Sequence, residues 1–327
     1  MKKDKTMIGR LRASRAQRAL HALPRRSESP AADAVAAPDS IRVATYNIHK
    51  GVLREYFGLK QIPRIHELRT RLHELEADLI FLQEVQGRHA HNERRYDQWP
   101  LDSQELFLAR SPTLAHTFES VYGQNATYLH GHHGNALLSR FHIVRHEQRD
   151  ISDHALEKRG LLHCVTRIGD RDVHCFVVHF GLFAGSRQRQ LDAMIEWIDE
   201  EVPSNAPLII AGDFNDWREK LSDSLCASLG MVEVFDAIKA PRRVPQRMAN
   251  FVHNRWPVFG IGAEREAALR VARSVRAART FPALVPWLRM DRIYQRGFAV
   301  EHVRVLRGPT WARLSDHSPL VADLRLR

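Results

Sequence analysis

The feature that most constrains this chain is a set of short apolar runs, each stopped by a polar residue. Leu79-Ile-Phe-Leu82 runs into Gln83-Glu84, Val177-Val178 into His179, and Leu208-Ile-Ile-Ala211 into Gly212-Asp213. Such runs are too short for a helix with a buried face, and far below the ~20 residues of a membrane span. They read as strands buried on both faces. The residues that stop them are those that bind metals and move protons.

Further elements follow the same logic. Ile41–Ile48, Asp78–Val85, Asn135–Val144, Val173–Phe180, Pro207–Ala211, Val303–Leu306 and Leu320–Leu326 read as strands. Apolar residues stepping by three or four predict helices over Leu59–Leu75 and Ser186–Glu201. Many strands with few helices between them suggest two packed sheets with helices outside. Polar groups at strand exits would then gather on loops along one edge of a rigid scaffold.

Four of these exits carry chemistry. In Gly212-Asp-Phe-Asn215, two residues apart in extended chain, Asp213 and Asn215 face one direction. A carboxylate can deprotonate water, and an amide can hold that water or a phosphate oxygen. Gly212 reads as a turn residue that a side chain would crowd. Glu84 after its apolar run is costly unless paired or bound to a hard cation such as Mg2+. Asn47 stands at a similar exit with a neutral oxygen. In Ser315-Asp-His-Ser318, Asp316 can bind metal while His317 handles a proton. Asp291 can orient and charge a histidine, and His179 closes its own strand.

Charge is unevenly placed. The formal net charge is +11. Residues 1–40 hold nine Lys/Arg against four acids, and residues 241–280 hold nine Arg against two Glu. The rest is close to neutral, so a nucleic-acid face is permitted but not demanded. Residues 1–40 lack large apolar groups and read as a disordered basic tail. Ala263–Arg279 reads as an Arg-rich helix within an insert. The tail and the insert together offer peripheral contact with an anionic surface. Three cysteines, Cys164, Cys175 and Cys226, fit neither a disulfide framework nor a zinc spacing. His130, His132 and His133 lack a further ligand at zinc spacing and read as a loop beside the site. With no long apolar stretch and no secretory leader, a soluble, cytoplasmic monomer is expected.

Taken in order, these motifs resemble the endonuclease/exonuclease/phosphatase superfamily, in a YbhP-like bacterial branch. The resemblance spans Ile41 to Arg327: the Asn47 strand with Asn-Ile-His-Lys-Gly51, the Gln83-Glu84 strand, Gly134–Arg140, the His179 strand, Gly212–Asn215, Asp291–Tyr294 and Ser315–His317. It implies a DNase I-like, four-layer α/β sandwich hydrolysing phosphoesters with Mg2+, for which Mn2+ can substitute. Glu84 would be the main metal ligand, with Asn47 and Asp316. Asp213 would activate water, Asn215 would orient it, and His317 backed by Asp291 would serve the scissile phosphate. His179 would stabilise the transition state, and Asn135 and Arg159 would help hold phosphate. A phosphodiesterase or nuclease is the first expectation, and a phosphoesterase of phospholipid or small phosphorylated metabolites the second. A catalytically dead binding protein would have lost site residues, and none is lost. The Trp-Cys-Asp-Arg-Ile-Leu signature of inositol 5-phosphatases is replaced by Leu288-Arg-Met-Asp-Arg-Ile-Tyr294, which argues against that activity.

Overall fold

Each apolar run becomes a strand whose successive side chains enter two different cores. In β1 (Ile41–Asn47), Ile41 and Val43 point into one core, and Ala44 and Tyr46 into another. In β4 (Leu79–His89), Leu79 and Phe81 alternate with Ile80 and Leu82 in the same way. Both faces of these strands are covered, which is why the sequence reads as continuous apolar rather than alternating.

The computed structural model describes residues 38, 40–54, 61–113, 117–154, 157–239 and 278–327. The remaining strands are β2 (Val52–Arg54), β3 (Gln61–Pro63), β5 (Glu119–Tyr128), β6 (Gly131–Ser139), β7 (His142–Asp150), β8 (Gly160–Ile168), β9 (Arg171–His179), β10 (Leu208–Asp213), β11 (Val232–Glu233), β12 (Asp291–Arg296), β13 (Phe298–Val305) and β14 (Leu320–Leu326). One six-stranded sheet runs β13-β14-β1-β4-β6-β5, and the other β11-β12-β10-β9-β8-β7. The β1–β4 and β9–β10 pairs are parallel and the other ladders antiparallel, so both sheets are mixed. The inner core lies between the sheets, with Val43, Phe81, Leu137, Cys164, Val177, Ile209 and Ile293 among its members. Helix α1 (Ile65–Glu74) covers the outer face of the first sheet with Ile65, Leu68 and Leu72. On the second sheet, α2 (Ala184–Glu201) presents Leu191, Met194, Trp197 and Ile198. The architecture is the expected four-layer α/β sandwich.

Several expectations need correction. The helix read over Leu59–Leu75 begins only at Ile65, and Gln61–Pro63 is a strand. Pro63 explains this, because it cannot donate to a helix and pushes Ile62 into extended chain. Asn135–Val144 is not one strand. It breaks at Arg140, where the Ser139 hydroxyl caps Phe141 N–H at 3.0 Å, and the chain crosses from one sheet to the other. Gly212 is not in a turn but inside β10; a Cβ there would lie 1.9 Å from the Val178 carbonyl of β9. Close strand approach, not turning, demands glycine. The tail of residues 1–40 lies outside the described residues except for positions 38 and 40, as does the Arg-rich helix except for Ala278 and Arg279. No described helix is long and apolar enough to cross a membrane.

Candidate active site

Three neighbouring strands place three site residues in one row. Asp213 ends β10, and its register partners are His179 on β9 and Asp291 on β12. Side chains in register across a sheet share a face, so the carboxylate of Asp213 stands between an imidazole and a second carboxylate. The other sheet supplies Asn47 and Glu84. The Asn47 amide donates to Asp213 Oδ2 at 3.2 Å and to Glu84 Oε1 at 3.5 Å, joining the two sheets at their shared edge.

The loop before β14 completes the cluster. Ser315 donates its hydroxyl to the Asn47 carbonyl at 2.7 Å and accepts from His317 N–H at 3.2 Å, which fixes this loop against β1. His317 Nδ1 then meets Asp291 Oδ2 at 2.8 Å, while its Nε2 lies 3.7 Å from Asp213 Oδ2. His179 Nε2 lies at the same 3.7 Å from that oxygen. Asn215 is held by its N–H on Asp213 Oδ1 (2.9 Å) and its amide on the Phe180 carbonyl (2.9 Å).

Backbone strain gathers here. Of the seven non-glycine residues with positive φ among the described residues, four lie here: His49 (44°), Lys50 (61°), Glu84 (55°) and Asn215 (51°). Such conformations cost about 1 kcal/mol or more each and persist only where surroundings enforce them. The turn His49-Lys50-Gly51 aims both cations at the acids. His49 Nδ1 lies 3.3 Å from Asp316 Oδ1, and Lys50 Nζ lies 3.5 Å from Glu84 Oε2. Glu84 and Asp316 therefore flank one pair of residues, on the same side of the molecule. The stretch Asn47–Gly51 is one of the motifs that carry the family resemblance, but the sequence assigned no role to His49 or Lys50.

Environment sorts the protonation states. Burial weakens the acidity of Asp213, which is pushed up to about 6 although His317 opposes the shift. Burial also disfavours the His317 cation, yet Asp291 and then Asp213 overcome it and raise the imidazole to about 10. His179 goes the other way: burial and the nearby Arg159 charge hold it well below its ordinary value, so it is neutral. Burial opposes ionisation of Asp316, but His49 draws it down to about 2. Desolvation also opposes ionisation of the half-buried Glu84, but Lys50 with His49 keeps it below the usual range.

Glu84 Oε2 is buried without a hydrogen-bond partner, a position a metal would satisfy. Asp213, Asp291 and His317 also bring ligand atoms within 4.8 Å of one another, a buried cluster able to hold a metal. Their 2.8 Å contact already places a proton between His317 and Asp291.

Asn135 and Arg159 fall differently from the other candidates. The Asn135 amide donates to the carbonyls of Gly160 (2.9 Å) and Val177 (3.3 Å), tying the two sheets together. Only its acceptor oxygen remains, and an acceptor does not bind phosphate. Arg159 pairs with Glu157 at 3.2 Å, and its charge reaches His179. Arg187 was not anticipated. It is buried on α2, donates to the carbonyls of Gly181 and Leu182, and lies 5.2 Å from the Trp217 ring. Its position in an amphipathic helix gave no signal. His133 sits in β6 rather than a loop, stacked on Tyr128.

The sequence profile described as "Endonuclease/Exonuclease/phosphatase family" matches residues 44–317, from β1 to His317. The chain belongs to this family. Endonuclease/exonuclease/phosphatase proteins are in general phosphoester hydrolases that use divalent metals. YbhP of Escherichia coli K12 is 37% identical over 289 residues, covering 88% of this chain and 97% of that protein. Among solved structures, a family member from Beutenbergia cavernae shares 17% identity with a TM-score of 0.59, covering 88% of this chain and 72% of that one. Humanized Danio rerio TDP2 shares 15% identity with a TM-score of 0.55, covering 88% of this chain and all (100%) of the other. At such identities these structures establish the shared fold.

Proposed function

We propose that the protein is a Mg2+-dependent phosphodiesterase that cleaves a P–O bond by in-line attack of water. The observation that carries this reading is the Asp291–His317–Asp213 chain, at 2.8 and 3.7 Å, beside the buried Glu84 Oε2, which accepts no hydrogen bond and faces Lys50 Nζ at 3.5 Å.

Glu84, the Asn47 amide oxygen and Asp316 would hold the ion. Once bound, Mg2+ supplies Lewis acidity to a phosphoryl oxygen. Asp213, pushed up to about 6, is ionised at neutral pH yet basic enough to take a proton from water. Asn215, pinned by Phe180 and Asp213, orients that water. His317 is a cation at the same pH and offers its Nε2–H to the charge that develops on phosphate. Asp291 fixes its tautomer and orientation through Nδ1. His179 is neutral and contributes an N–H rather than a charge. The Asp213–Asp291–His317 cluster reads as a proton path rather than a second metal site, because its shortest contact is already hydrogen-bonded.

A nuclease reading finds support in Danio rerio TDP2 complexed with a single-strand DNA product, 14% identical with a TM-score of 0.51. The chemistry of the site is the same for a nucleic-acid and a lipid phosphodiester.

Turnover of bis-p-nitrophenyl phosphate with Mg2+ tests the proposal. Asp213→Ala should lose at least about a thousandfold in kcat while remaining folded by circular dichroism. Turnover like that of the wild type in this variant would remove Asp213 as the base.

A further inference from the structure

Among the described residues, six of the thirteen large apolar side chains left in solvent stand on the loops that carry the site. Leu182 (56% exposed) and Phe183 (64%) follow the His179 strand, and Trp217 (41%) follows Asn215. Leu284 (60%), Val285 (68%) and Trp287 (61%) occupy the loop between Phe281 and Leu288. That loop abuts the catalytic residues. The Phe281 ring centre lies 4.9 Å from that of His317, and Ala283 N–H donates to the Asp316 carbonyl at 2.7 Å.

These side chains are presented by fixed backbone. Phe281 and Leu288 exchange hydrogen bonds of 3.1 and 2.8 Å, closing the loop at its base and leaving Leu284 and Val285 at its tip. Arg187 holds the Leu182 carbonyl at 2.5 Å from beneath and packs under Trp217. An apolar surface held out rigidly beside a site marks contact with an apolar partner. Cations accompany it. Lys158, Arg218 and Lys220 are exposed, and among the described residues none of them forms an ion pair. Tryptophan and aliphatic side chains beside unpaired Lys and Arg compose a surface suited to the interface of an anionic bilayer. Nucleic acid would use the aromatic rings for stacking but has no use for Leu182, Leu284 and Val285.

We propose that this rim docks on an anionic phospholipid bilayer and presents the site to the phosphodiester of a lipid headgroup. The docking stands on the surface alone; the cleavage rests on the phosphodiesterase reading above.

Vesicle flotation tests it, using phosphatidylcholine alone and phosphatidylcholine with a quarter phosphatidylglycerol. The full chain should bind the mixed vesicles at least about tenfold more strongly than the neutral ones. The triple variant Leu284→Ser, Val285→Ser, Trp287→Ser should lose at least about tenfold in binding to the mixed vesicles. Arg218→Glu with Lys220→Glu should lose the preference for phosphatidylglycerol. Both variants should keep wild-type turnover of soluble bis-p-nitrophenyl phosphate, which shows that they fold. Absence of vesicle binding by the wild type would overturn the proposal. So would single-strand DNA binding, without vesicle binding, that depends on the same three side chains. Vesicle binding with no turnover of any phosphodiester would instead overturn the catalytic reading and leave the docking surface standing.

Discussion

Asp291→Asn keeps the shape of the residue facing His317 and removes its charge. Against an ordinary value of 6.5, His317 is raised to about 10. At about 1.4 kcal/mol per unit, the site favours the imidazolium by about 5 kcal/mol, net of a burial that works the other way. Asp291 leads the attractive contributions, ahead of Asp213. If it carries roughly half of them, its loss lowers His317 by about two units. The sign follows. A group raised in the folded protein stays protonated up to its raised value, so activity that needs the imidazolium is lost as pH rises through it. The alkaline limb of kcat/KM should therefore move from near 10 in the wild type to about 8 in the variant. At pH 6.5 both enzymes hold the proton, and the variant should lose only the factor due to orientation, about tenfold. The assay is bis-p-nitrophenyl phosphate turnover from pH 6 to 9.5 at saturating Mg2+, a range in which the variant's limb should fall and the wild type's should not, with the His317 ring of both followed by NMR up to pH 11. A variant whose alkaline limb stays where the wild type has it would refute the claim that Asp291 keeps His317 charged.

The other predictions probe the remaining parts. Glu84→Gln should raise the Mg2+ concentration for half-maximal rate by about a hundredfold or more, and calorimetry should show the matching loss of Mg2+ affinity. Asp213→Asn should stabilise the metal-free protein at pH 8: the folded carboxyl titrates near 6 instead of 3.8, so its charge costs about 3 kcal/mol above that range and nothing below pH 3.8. A rise of several degrees in Tm at pH 8, vanishing by pH 3.8, is the expected signature. Residues Ala37–Arg327 form a compact unit of their own, so deleting residues 1–36 should leave bis-p-nitrophenyl phosphate turnover unchanged within about twofold.

Much of the fold was legible because the strands are buried on both faces. Leu79–Leu82 and Leu208–Ala211 have no polar face to blur them, and each ends at the residue that reaches the site. Strands with mixed faces were harder. Glu119–Tyr128 and His142–Asp150 lie at sheet edges; the first buries only Val121, Gly123 and Ala126, and the second buries no residue fully. The helix start at Ile65 was missed because apolar spacing continued through Ile62 while Pro63 forbade the helix. Asn135 was read from its neighbours in a motif, but which of its amide atoms is free depends on the carbonyls of Gly160 and Val177, which sequence does not place.

By itself, the sequence determined which residues carry acid, amide and imidazole groups, and that Asn47, Glu84, His179 and Asp213 sit where an apolar strand runs out. Those are local facts, set by hydrophobic periodicity and by the chemistry of single side chains. Only the tertiary structure decided how these groups act. Burial makes Asp213 a weakened acid and keeps His179 neutral, whereas Asp291 and Asp213, brought near by β12 and β10, overcome burial and make His317 a cation. Two histidines of one ordinary pKa are driven apart by burial and by Asp291, and that separation exists only once residues 26 positions apart stand 2.8 Å from one another.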